Sequence, residues 1–182
     1  MERQRFGFDY QKIFFSNGLT ENKKYTGKYD GYSKNGTPIQ VKTYKNKQEL
    51  MMANPYRYLE ADKDFYLVVA NRDRNNNILS ERIFYVTIEA LKKLFTSNNF
   101  QERTEYCQYC LDSVTNDRTD DTKFKNLMKK EKQSRKAEGN IINVQAKRDH
   151  KSQKRVQWSI PNRHLEDFYS FFQEVNKEDL MK

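Results

Sequence analysis

Cysteine, histidine, proline and glycine are all scarce in this chain: its 182 residues hold 2, 2, 3 and 6 of them. Two cysteines, Cys107 and Cys110, are too few for a disulfide framework, and in a lysine-rich chain their Cys-x-x-Cys spacing reads as reduced side chains on a helix. As half of a zinc site the pair would need His150 and His164, whose separation and local spacing are wrong for it. Neither histidine has an obvious serine or cysteine partner for nucleophilic catalysis. There is no G-x-x-x-x-G-K-[ST] phosphate loop, no glycine-rich dinucleotide turn, no internal repeat and no low-complexity linker beyond a basic stretch. No segment approaches the roughly 20 apolar residues of a membrane span, and Met-Glu-Arg-Gln-Arg lacks the apolar core of a signal peptide. The expectation is a cytoplasmic protein with no membrane contact.

What is abundant is positive charge and aromatic surface. Aromatic residues make up 14% of the chain, so a modest number of apolar positions can bury a good deal of area. The net charge is +9, and residues 118–155 hold 13 Lys and Arg against 5 Asp and Glu, a local excess of +8. A charge concentrated in this way is the electrostatic footprint expected for a polyphosphate partner, whose affinity comes from neutralised phosphates and released counterions. The plain alternative is a solvated helix face, since Lys129, Lys130, Lys132 and Lys136 stand in helix-favouring company.

Near the other end, residues 29–42 run Tyr-Asp-Gly-Tyr-Ser-Lys-Asn-Gly-Thr-Pro-Ile-Gln-Val-Lys. Asn35-Gly36 is the preferred centre of a two-residue hairpin turn. On the strand that follows, a period of two sends Ile39 and Val41 to one face and Gln40 and Lys42 to the other, where Asp30 can join them. A carboxylate and a second oxygen ligand suit Mg²⁺, a hard cation that keeps waters and takes substrate phosphate in its remaining positions. A lysine beside them can orient or deprotonate the attacking water, or stabilise charge building on phosphate.

These residues resemble the motif of the P-D-(D/E)-x-K nuclease superfamily, which includes restriction endonucleases, resolvases and repair nucleases. Asp30 matches the first acid, Gln40 the second and Lys42 the lysine, with Tyr29 where the proline often stands. The departure is Gln40, which keeps a carbonyl oxygen but removes a charge, so metal affinity should fall unless another carboxylate compensates. A minority of restriction enzymes in the superfamily carry the same Gln-x-Lys. Members often add a group from the opening helix or its neighbours, which makes Asp9, Gln11 and Glu49 the further candidates here. The resemblance implies an α/β fold with a restriction-endonuclease-like αβββαβ core and a Mg²⁺ cofactor, or Mn²⁺, held by Asp30 and Gln40.

The rest of the chain is read to match. A helix is predicted over residues 3–16 from Phe6, Tyr10, Ile13 and Phe14, stopping near Asn17-Gly18. Strands are predicted over Tyr25 to Tyr32 and Pro38 to Tyr44, then a helix from Lys47 to Ala61 that Asn54-Pro55 should kink or split. Asp64 to Ala70 reads as a strand covered on both faces. Helices over Thr87 to Ser97 and Glu102 to Val114 lead to two strands, Ile141 to Lys147 and Arg155 to Ile160, with Trp158 as a core anchor, and to a helix over His164 to Phe172. Residues 1–98 are assigned to the nuclease-like core and 99–182 to a basic α+β C-terminal lobe.

The function expected is Mg²⁺-dependent endonucleolytic cleavage of double-stranded DNA, most simply of the type II restriction kind. The alternatives are a non-catalytic DNA-binding protein on a nuclease fold and a structure-specific resolving or repair nuclease. DNA contact is assigned to Lys129, Lys130 and Lys132, and to the turn that presents Arg148, Lys151, Lys154 and Arg155, since arginine can pair with guanine edges while lysine mostly grips phosphate. Cutting both strands favours a homodimer.

Overall fold

The computed structural model describes residues 2–23, 28–149 and 153–182. Among them are six α-helices, a mixed six-stranded sheet with one parallel pair and a small antiparallel sheet. The chain opens with α1 (Glu2–Phe15), followed by β1 (Thr20–Glu21), β2 (Gly31–Tyr32) and β3 (Pro38–Lys45). A crossover made of β4 (Leu50–Ala53) and α2 (Pro55–Leu59) leads to β5 (Phe65–Arg72), which runs parallel to β3 with Gln40 opposite Leu67 and Lys42 opposite Val69. β6 (Ile78–Val86) returns antiparallel, then α3 (Ile88–Ser97), α4 (Phe100–Asp112) and α5 (Asp121–Ser134) precede β7 (Asn143–Arg148) and β8 (Lys154–Ile160). α6 (Leu165–Tyr169) and β9 (Gln173–Val175) close the chain. The large sheet is ordered β1-β2-β3-β5-β6-β9 and the small one β4-β8-β7.

The central strand β5 is buried on both faces, as its continuous apolar sequence predicts. Phe65, Leu67 and Val69 face the larger core, where Leu50, Met52, Trp158 and Phe168 pack. Tyr66, Val68 and Ala70 face Tyr10, Phe14 and Phe15 of α1, with Ile39 beside them. Trp158, 1% exposed, is the anchor its sequence suggests, edge-on to Tyr58 and Phe100. The sequence boundary at residue 98 is crossed by both sheets, because β4 pairs with β8 and β6 with β9, so the two halves share one core.

Several elements differ from the sequence-based expectation. The helix predicted from Lys47 to Ala61 begins instead as strand β4, because Leu50 and Met52 are buried while Ala53 is exposed, and pairing with β8 overrides the helix-favouring composition of Leu-Met-Met. Asn54 then caps α2 by accepting the Tyr56 N–H at 3.0 Å, with Pro55 at the first helical position, where its missing donor costs nothing. Strand β6 has no counterpart in the sequence-based expectation. The hairpin turn is not the two-residue form either: Gly36 alone takes a positive φ, +85°, and Gly36 and Thr37 close back onto Ser33. β2 is confined to Gly31–Tyr32, with residues 25–27 of the predicted strand outside the described residues. Ile13, placed on the buried face of α1, is 67% exposed, and α6 ends at Tyr169.

Candidate active site

The site is built by the way β2 meets β3. Gly31 pairs with Ile39 while α1 and β1 press on it: a Cβ there would fall 2.4 Å from both the Phe15 ring and the Thr20 carbonyl oxygen. Only glycine allows that approach, and it fixes the residue before it. The Asp30 N–H donates to the Ile39 carbonyl at 3.0 Å and its carbonyl accepts from the Asn22 N–H at 2.8 Å, so the backbone is held on both sides. The carboxylate then reaches across to β3, where Oδ2 accepts the Val41 N–H at 2.7 Å. Asp30 therefore lies against the Gln40–Val41 peptide.

Alternation along β3 settles the faces. Ile39 and Val41 pack toward α1, so Gln40 and Lys42 project to the opposite face, the side of Leu67 and Val69 in the parallel register. Gln40 is buried, 4% exposed. Lys42 is half-buried, and burial of its ammonium pushes its pKa below the ordinary lysine value. The Asp30 charge works against that shift and the Arg57 guanidinium adds to it. Asp30, Gln40 and Lys42 are thus brought to one face. Arg57, exposed on α2, is a second cation, whose charge acts on Lys42, and sequence reading missed it. The one available signal was a basic residue just after the Asn54-Pro55 cap.

The further candidates are not drawn into this cluster. Asp9, exposed, and Gln11, half-buried, sit on α1, which packs across the sheet from Gln40 and Lys42. Glu49 precedes β4, where its carboxylate accepts the Ser159 hydroxyl of β8 at 2.8 Å. Among the described residues no three His, Cys, Asp or Glu side chains form a group able to hold a metal ion. What the site offers is one carboxylate and one amide oxygen. Both are hard donors of the kind Mg²⁺ takes, and that ion readily fills its other positions with water. The residues fit a weakly held, water-rich ion. Cys107 and Cys110 are both buried, and burial foremost pushes the Cys107 thiol up to about 12.

The basic half has a defined frame. α5 turns Phe124, Leu127, Met128 and Glu131 inward and leaves Lys129, Lys130 and Lys132 in solvent, with the Lys130 ammonium 4.8 Å from the centre of the Tyr106 ring. The helix is held by a buried pair: Arg103 donates to Glu131 at 2.8 Å and to the Ile142 carbonyl at 2.8 Å. Beside α5, a groove of about 550 Å³ is lined by Lys125, Lys132, Arg135 and Gln145.

The turn between β7 and β8 does not present all its cations outward. Arg148 is a correction: its side chain is 3% exposed and donates to the Thr115 carbonyl at 2.8 Å, to Asp121 at 2.6 Å and to the Asp117 carbonyl. The loop between α4 and α5 captures it, because two of its carbonyls, with the Asp121 carboxylate at the start of α5, satisfy the guanidinium fork. Lys154 likewise donates to the Val114 carbonyl. Arg155 stays exposed, one nitrogen donating to Gln153 at 2.9 Å, and Lys151 lies outside the described residues.

Comparison with protein-family models finds no match, and comparison with curated proteins finds none either. Among the described residues no helix is long and apolar enough to cross a membrane.

Proposed function

We propose that the chain is a Mg²⁺-dependent DNA endonuclease, most simply of the restriction type, with Asp30, Gln40 and Lys42 as its centre. The observation that carries this reading is the Asp30 carboxylate bonded to the Gln40–Val41 peptide beside a desolvated Lys42 on the same face. The order α1-β1-β2-β3-β4-α2-β5, with β3 and β5 parallel, supports it, since apart from β4, which joins the small sheet, it follows the αβββαβ core that the motif implies. Asp30 and Gln40 would hold the metal, whose contribution when bound is to polarise the phosphate and lower the pKa of water. Lys42 orients the water that attacks phosphorus, and its lowered pKa brings the neutral amine, a proton acceptor, closer to working pH. Arg57, an exposed cation whose charge acts on Lys42, is placed to grip phosphate.

Calorimetric titration with Mg²⁺ and Mn²⁺ tests the metal half. The parent should bind weakly, with dissociation constants on the order of millimolar for so few protein ligands, and Gln40→Glu should bind more tightly by adding a second carboxylate. Absence of binding by both, with and without DNA, would support the second reading, a DNA-binding protein without catalysis. That reading is favoured by the neutral Gln40, which leaves Asp30 as the acid of the cluster, and by the absence of any metal-holding group of three His, Cys, Asp or Glu side chains among the described residues.

DNA contact is assigned to the exposed face of α5, to the groove beside it and to Arg155. Replacing Lys129, Lys130 and Lys132 together with glutamine should weaken binding about equally on all duplex sequences and lower the salt slope by about 3. Arg155→Ala should change discrimination between sequences by roughly 1–3 kcal/mol where it reads a base. Arg148→Ala should instead lower the thermal midpoint. Binding to several duplexes at two salt concentrations separates these results, and unchanged affinity in the lysine variant would leave that face merely solvated.

A further inference from the structure

The groove beside α5 is framed on four sides. Asp121, Lys125, Met128, Lys132 and Arg135 recur every three or four residues along one face of α5 and its cap, and β7, the outer strand of the small sheet, supplies the facing wall through Gln145 and Ala146. One end is bridged where Arg148 of β7 donates to Asp121 at 2.6 Å, the other where Arg135 donates to the Val144 carbonyl at 2.9 Å. An extended chain adding a strand to the β7 edge is stopped at both bridges, so the space of about 550 Å³ suits a compact group. Its floor is apolar: Phe124 and Ala146 pack on the larger core, Met128 is buried in it, and the Arg148 guanidinium lies 5.6 Å from the centre of the Phe124 ring. Lys125 and Lys132, two helical turns apart, are exposed and form no ion pair among the described residues. Gln145 is half-buried, and its amide, able both to donate and to accept, makes no hydrogen bond among the described residues.

We propose that this groove binds one unpaired nucleotide of DNA, its base on Phe124 and Met128, the base edge hydrogen-bonded to Gln145, and its flanking phosphates on Lys125 and Lys132. A nucleotide meets all three features at once, since bases stack on aromatic side chains, amides read base edges and ammoniums grip phosphate. An acidic peptide would use the two lysines and leave the floor and the amide idle. A base within a paired duplex is stacked above and below and cannot reach the floor, so the nucleotide comes from a single strand or from a bulge. The proposal rests on the DNA-contact part of the reading above and is independent of the metal site.

The test measures fluorescence anisotropy in EDTA with three short labelled DNAs: a single strand, a perfectly paired duplex and the same duplex carrying a one-nucleotide bulge. Phe124→Leu, which keeps an apolar side chain and removes the stacking ring, should lower affinity for the single strand or the bulged duplex about tenfold and leave the paired duplex unchanged. Gln145→Leu, on the edge strand, should lower the same affinities about fivefold, and it carries the test should Phe124→Leu melt below the parent. A loss confined to the single strand or to the bulge names the source of the nucleotide. Equal losses on all three DNAs, or none on any, overturn the proposal and leave DNA contact standing, as does displacement of the single strand by polyglutamate at matched charge. A parent that binds none of the three overturns the DNA-contact reading and this proposal with it.

Discussion

Asp30→Ala is expected to abolish phosphodiester cleavage while leaving duplex affinity within about twofold, because the phosphate grip we propose lies on α5 and not at the hairpin. Lys42→Met should abolish cleavage as well, without loss of stability. The Lys42 ammonium is desolvated in the folded chain, so its folded pKa lies below its unfolded one. Between those two values the unfolded state binds more protons, stability rises with pH, and the lysine is a net liability at neutral pH. A methionine of similar length removes that liability. Thermal unfolding at neutral pH should therefore show Lys42→Met at or above the parent, and the difference should shrink as pH rises toward the ordinary lysine pKa. A variant that loses activity and stability together would make Lys42 a packing residue.

Glu131→Ala should be the most damaging single change to the fold outside the apolar core. It leaves the Arg103 guanidinium, 5% exposed, without its counter-charge in the space between α4, α5 and β7. Breaking one side of a buried pair costs about 3–5 kcal/mol, or roughly 10 °C in thermal midpoint for a domain of this size. Arg103→Ala should cost a similar amount, since it strands Glu131 and frees the Asn98 and Ile142 carbonyls. Replacing both partners together with apolar residues should recover much of the loss. A Glu131→Ala protein that melts within about 1 °C of the parent would mean that water reaches the pair.

The parts of the fold that are legible in the sequence are those whose pattern is local. The β5 run, the helix α1 with its stop at Gly18, and the β7–β8 ribbon around Trp158 all carry their own periodicity. β4 is not legible, because Leu50-Met51-Met52 suits a helix until β8, far along the chain, offers its edge. β6 is obscured by its first half, where Ile78 and Leu79 are both exposed and no alternation marks the strand. At the site, the hairpin spacing places Asp30, Gln40 and Lys42 on one face without help. Arg57 depends on how the crossover helix packs, and the inward turn of Arg148 depends on carbonyls of a loop some thirty residues earlier.

Supercoiled plasmid incubated with the purified chain and Mg²⁺, then resolved on a gel, tests the central claim most directly. The expected result is conversion to nicked or linear DNA by the parent, none in EDTA, and none with Asp30→Ala, although both proteins retard the plasmid. Equal cutting by the parent and Asp30→Ala would remove the hairpin as the active site. Retardation without any cutting would contradict the enzyme and leave a DNA-binding protein on this fold.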